Sequence, residues 1–188
     1  MWRYPEEQDL KEFVFSFALF LVLHKSLLTG RGNLKREMEE EEGSRERVTC
    51  AVLSIDHSNM HYRVCGVCER TLSTATLLCA FCNSSHSKRL FRILMSVATD
   101  TDVLTLVCFD RVATTLFGCS ADHFFHFAKL HPFSEVTVSE ILKGEMFTMT
   151  LSKPMNGNAQ NLRLTSAIPL SSQFRPVFEV LKQCYGSP

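Results

Sequence analysis

The chain has no net charge, no apolar run long enough to span a bilayer, no internal repeat and none of the commoner catalytic signatures. Each absence excludes something. Twenty basic residues balance twenty acidic ones, so this is not a polycation that coats nucleic acid by charge alone. The apolar run Phe13–Leu23 falls short of the roughly 20 residues that cross a membrane. Glu6, Glu7, Asp9 and Glu12 precede it where a signal peptide would be basic, and no clean small-residue cleavage site follows. It reads as an apolar helix packed on the domain, or as sequence outside the functional module, in preference to a membrane anchor. No HExxH, GxSxG or Walker loop occurs. No histidine begins the HxE that nucleobase deaminases pair with a cysteine motif. An enzyme is not expected.

What is present divides into two parts. Residues 1–47 hold eight basic and ten acidic residues, and residues 48–188 hold twelve and ten. Residues 30–47 are charged, glycine-bearing and without an apolar stripe, which describes a solvated linker; its acidic run Glu39–Glu42 reads as a tether. The domain is expected over residues 48–188. Its six histidines add charge at lower pH.

The pattern changes at Val48. VTCAVLSID, 88–99, 103–109, 145–153 and 161–168 read as strands, with hairpin turns at Asp100–Asp102 and at Asn156-Gly157-Asn158. Residues 110–130 suit two short helices, the first ending at Gly118. Pro176 opens a last helix. Strands in short hairpins, one helical insertion and a terminal helix predict a mainly β fold, a small barrel such as an OB-fold.

Cys65, Cys68, Cys79 and Cys82 form C-x2-C-x10-C-x2-C. Each CxxC makes a tight knuckle that aims two thiolates at one point, and four thiolates complete tetrahedral zinc without an open position. Two CxxC disulfides, or a redox pair with a thiol of lowered pKa, are the competing readings. His61 and His86 flank the cluster and read as surface histidines. Cys50, Cys108, Cys119 and Cys184 stand singly in apolar surroundings, as buried reduced thiols do, which suits a reducing compartment.

The blocks HYRVCGVC…LLCAFC, KRLFRILMSVATDTDVLTLVCFD and RVATTLFGCSADHF carry a resemblance. Over roughly residues 48–184 the chain resembles the C-terminal OB-fold of the large subunit of replication protein A. In that family a zinc ribbon interrupts the barrel, ahead of a strand, an acidic turn, a strand ending in a Phe-Asp-like step and a helix with an LLGxSAxE-like end. Phe109-Asp110 and Leu116–Asp122 stand at those points. The cysteine spacing resembles that of the meiosis-specific OB-fold paralogue. The ribbon lacks the family's tryptophan, and Asp100-Thr101-Asp102 replaces its Asp-x-Thr-Gly turn, so the chain resembles a divergent relative.

The resemblance implies a nuclear module, without a membrane, that binds single-stranded DNA in replication, recombination or repair. Such binding needs a basic groove with rings on which bases stack; the candidates are Tyr62, Arg63, Arg70, Lys88, Arg89, Phe91 and Arg92. On a strand Arg89, Phe91 and Ile93 share one face and Leu90, Arg92 and Leu94 the other, so only one set faces DNA. The alternative is a protein-interaction OB domain that scaffolds a complex without appreciable DNA affinity. The resemblance also implies small-subunit partners, docked through the C-terminal helix. Val177, Phe178, Leu181 and Cys184, with Phe174, make an apolar stripe there, which serves either a partner helix or the base of the barrel.

Overall fold

The structure, a computed structural model, describes residues 45–73, 78–154 and 161–186. Apolar residues alternate through β1 (Arg45–Asp56), β3 (Ser87–Ala98), β4 (Val103–Phe109), β5 (Met146–Ser152) and β6 (Leu162–Pro169), with a short β2 (His61–Cys65) outside the series. On β3, Phe91, Ile93, Met95 and Val97 are buried; on β5, Phe147, Met149 and Leu151. A strand with one apolar face must bury it, and curling the sheet on itself does so. The strands join β1–β5–β6–β4–β3 and return to β1. Every pairing is antiparallel except β4–β6, which is parallel where Leu106–Cys108 meet Leu162–Leu164. This closed ring with one helical insertion is an OB-fold. Its elements lie in one compact unit, residues 43–99 and 103–188.

Among the described residues four helices accompany the barrel: α1 (Asp110–Phe117), α2 (Ala121–Leu130), α3 (Ser134–Leu142) and α4 (Val177–Tyr185). Ser120 caps α2 by accepting from the His123 N–H. Phe117 and Phe124 pack on Phe91, with ring centroids 4.6 and 5.9 Å away. The third helix was not expected, because SEVTVSEIL is rich in β-branched residues that disfavour helix. Tertiary contact overrides that preference: Val138 and Leu142 enter the core, and Ser139 accepts the Ile55 N–H at 3.2 Å.

Three other expectations change. Arg45–Arg47 are not linker but the start of β1, because their backbone pairs with β5 from Arg45 opposite Ser152. Cys184 is exposed, whereas Cys50, Cys108 and Cys119 are buried and pushed up to about 12 by desolvation. The stripe on α4 is consumed by the chain's own core: Val177, Phe178 and Leu181 are buried, and Phe178 packs on Phe127 at 5.2 Å and His123 at 4.7 Å. The Asn156-Gly157-Asn158 turn and the Phe13–Leu23 run lie outside the described residues. Among the described residues no helix is long and apolar enough to cross a membrane.

Strand β3 outruns its neighbours. One edge pairs with β2 over residues 87–91 and with β1 over 94–98, while β4 covers the other edge only from Arg92 onward. Beyond β4 the N–H of Phe91 donates to Asp110 Oδ1 at 2.9 Å, and the N–H of Arg89 donates to Asp122. Both carboxylates stand in the first turns of their helices, where the dipole also favours them. At the other end of α1, Gly118 takes φ 71°, and a Cβ there would lie 2.6 Å from Pro176 Cβ. The left-handed turn and the close approach both require glycine.

Two stability changes follow. Asp110→Ala leaves the Phe91 N–H unanswered and lowers stability by about 1–3 kcal/mol, whereas Asp110→Asn keeps an acceptor and costs less. Gly118→Ala destabilises by more than about 1 kcal/mol, since strain and steric overlap act together. Urea unfolding of the three variants checks both.

Candidate metal centre and nucleic-acid face

Strand β2 hangs on β3 outside the ring, with His61 opposite Phe91 and Cys65 opposite Ser87. That pairing holds the first knuckle against the start of β3. The knuckle closes with the Glu69 N–H on the Cys65 carbonyl at 3.0 Å; the second repeats it, the Asn83 N–H on the Cys79 carbonyl at 2.8 Å. Glu69 and Asn83 both take positive φ, 59° and 54°, so the two knuckles turn alike. Their four sulfurs lie within 4.8 Å of one another. Cys65 Sγ is 3.4 Å from Cys82 Sγ, and Cys68 Sγ is 3.5 Å from Cys79 Sγ.

Four thiolates on a tetrahedral ion with bonds of about 2.3 Å stand roughly 3.8 Å apart, so the donor set fits a metal ion. The Cys68 and Val67 N–H groups point at Cys65 sulfur and pull its thiol down to about 6; those of Cys82 and Phe81 lower Cys79. This favours the thiolate, the form that ligates, at those two sulfurs, while Cys68 is pushed up and Cys82 is pushed up to about 12, as the thiols that donate to them. All four donors come from the chain and Cys65 and Cys79 are buried, so the arrangement suits a structural ion.

The outer face of β3 and β4 carries the second feature. Arg92 opposes Phe109, Leu94 opposes Val107, and Tyr62 on β2 opposes Leu90. Opposed residues point to one side of a sheet, and their alternates Phe91, Ile93, Leu106 and Cys108 are buried. Phe109 is half-buried, with the Tyr62 ring edge-on at 6.4 Å and the Arg163 guanidinium over it at 4.6 Å. Arg163 stands on β6 beside Val107. Arg111, the second residue of α1, reaches the Thr165 carbonyl at 3.3 Å. The result is two rings on a face bordered by Arg92, Arg111 and Arg163.

The candidates named from sequence scatter. Tyr62 and Arg92 join this face. Phe91 does not: it is fully buried among Phe117, Phe124 and Phe125 and is not available for a base to stack on. Its phase on β3 is that of the core, which is the physical reason. Arg89 follows that phase to the end of the barrel and pairs with Asp122 at 3.2 Å. Arg63 donates to Ser87 Oγ at 2.6 Å, and Lys88 pairs with Glu69 at 2.7 Å, tying the ribbon to β3. Arg70 lies over the exposed Phe81 ring at 3.6 Å, within the ribbon. His61 packs on Phe125 at 4.2 Å. Burial first, then Arg89 and Arg63, pushes it below the usual imidazole range, so it adds little charge.

Phe109, Arg111 and Arg163 were missed. Phe109 was legible, since it alternates with buried Cys108 and Leu106. Arg163 was not, because only the parallel β4–β6 pairing brings it there.

Residues 46–166 match the family described as replication factor-A C terminal domain. No curated protein matches the chain. Among solved structures, the chain resembles a replication protein A heterotrimer bound to ssDNA, with a TM-score of 0.58 and 20% identity over 70% of this chain. It covers 33% of that chain, about a third of its length. It also resembles yeast RPA bound to ssDNA, with a TM-score of 0.54 and 19% identity over 86% of this chain and 92% of the other. At these identities the likeness is one of fold. The family is one of binding modules and not of enzymes, and with its match over most of the barrel and the ribbon this chain belongs to the replication factor-A C-terminal domain family.

Proposed function

We propose that the chain binds single-stranded DNA across the outer face of β3 and β4, as a nuclear module of an assembly like replication protein A. The carrying observation is Phe109, outward and half-buried, with Tyr62 at its edge and Arg92 and Arg163 around it. In an OB-fold these are the second and third barrel strands, the face that takes oligonucleotides. Base stacking on an aromatic is worth about 1–3 kcal/mol, and arginines hold the phosphates. The solved structures similar in fold are described as bound to ssDNA, which supports the reading. The assignment among replication, recombination and repair stays within it.

The functional module is the domain expected over residues 48–188, lengthened at its start by Arg45–Arg47 of β1, with the residues before them an extension. Cys65, Cys68, Cys79 and Cys82 hold one zinc ion, which supplies no chemistry beyond fixing the ribbon. Of the sequence candidates, Arg63, Arg70, Lys88 and Arg89 shape and charge the ribbon side of the site. Partner subunits engage the outer side of α4, around Val180 and Cys184, because the inner side serves the core.

Two measurements test this. Purified protein carries one zinc per chain by elemental analysis, and Cys79→Ser loses it together with protease protection of residues 61–86, because metal-binding energy is folding energy here. Protein that keeps its ribbon without metal refutes the zinc. For DNA, Phe109→Ala weakens oligothymidine binding by about tenfold or more, Phe109→Tyr keeps most of it, and Arg92→Ala weakens it and flattens the salt dependence. Fluorescence anisotropy reads all three. A wild-type chain that binds no single strand leaves the protein-interaction reading instead.

A further inference from the structure

The barrel has a second outer surface, on β1, β5 and β6. Register aligns its outward residues in rows. Arg45 on β1 opposes Ser152 on β5, which opposes Arg163 on β6; Arg47 opposes Thr150, which opposes Ser166; Thr49 opposes Thr148, which opposes Ile168. Their alternates Phe147, Met149, Leu151 and Leu164 fill the core. Glu46, between the two arginines, is on the other phase, with buried Leu151 as its partner. None of the nine positions in these rows is acidic. They combine arginines with short hydroxyl side chains, and these are the groups that hold phosphate and sugar without reading bases.

Exposed threonine on a strand is ordinary. What distinguishes this surface is the sign of its charge and its continuity with the first. Arg163 belongs to both: it lies over Phe109, and it is in register with Ser152. A bulge at Thr165, between Ser166 and Leu164, bends that strand and increases its local twist. From β4 to β1 is three strand spacings, about 15 Å, enough for a strand of DNA leaving the rings to run on across β6 and β5.

We infer that the β6–β5–β1 surface is a second binding surface for the same DNA strand, a backbone track that holds phosphates through Arg47 and the Thr150 and Ser166 hydroxyls after the bases have left the Tyr62–Phe109 platform. This rests on the proposed function above and extends it: the platform binds short strands, and the track adds affinity only to long ones.

The test compares oligothymidines of about 8 and about 20 nucleotides on the full chain with zinc, by anisotropy across a salt series. Arg47→Glu and Thr150→Glu are surface changes on adjacent strands; unaltered melting confirms that they fold. The expected result is that each leaves short-strand binding within about twofold, lowers long-strand affinity by about tenfold and reduces the salt slope for the long strand by about 0.7 for each phosphate no longer held. Arg47→Lys, which retains the charge, restores the long-strand affinity. Equal effects on both lengths, or none on either, overturn the track while leaving the platform in place. A wild-type chain that binds neither length overturns the platform and the track with it.

Discussion

The backbone N–H groups of Arg89 and Phe91 lie past the end of β4, on a strand whose other edge is already occupied. A buried donor without an acceptor costs about 1–3 kcal/mol, so the chain must supply one for the part-buried Phe91 N–H, and the more exposed Arg89 N–H takes one as well. Asp110 and Asp122 do this, and much of the architecture follows. Because both carboxylates open helices, answering the strand also fixes where α1 and α2 begin. Those helices then lay Phe117, Phe124 and Phe125 over Phe91. The same overhang gives β2 a free edge to join, and β2 carries the first cysteine knuckle.

The ribbon and the barrel are thus joined through one strand. The first half of β3 supports the ribbon, through β2 and through Lys88 on Glu69. Its second half is a wall of the barrel. Lys88–Glu69 is an exposed ion pair that solvent screens, so the backbone pairing of β2 with β3 carries most of the attachment. Phe91 and Arg92, neighbours in sequence, point to opposite faces of β3 because side chains alternate along a strand: one fills the core and the other faces outward beside Phe109.

Much of this was legible before folding. The spacing of the four cysteines marked a set able to hold a metal ion, and the structure brings their sulfurs together, because CxxC geometry is local and needs only a few residues. The strands 88–99 and 103–109, the helix end at Gly118 and the helix start at Pro176 were legible for the same reason: each depends on alternation or on the backbone preferences of one residue. Helix α3 was not, since β-branched residues over 134–142 argue against it and only the packing of Val138 and Leu142 and the hydrogen bond to Ser139 reverse that preference. Arg45–Arg47 looked like linker because their strand character comes from a partner about a hundred residues away.

Spacing within a few residues marked the four cysteines as a candidate ligand set and set the alternation of the strands. Tertiary structure decided the rest. It placed Phe91 in the core and Phe109 on the surface, although both are phenylalanines on strands, because the phase of a strand relative to the barrel depends on which neighbours it pairs with. It brought Arg163 over Phe109 through a parallel pairing across the ring, and it buried the α4 stripe in the chain's own core. Closure of the barrel decides which face of each element meets solvent, and closure is a property of all five strands together.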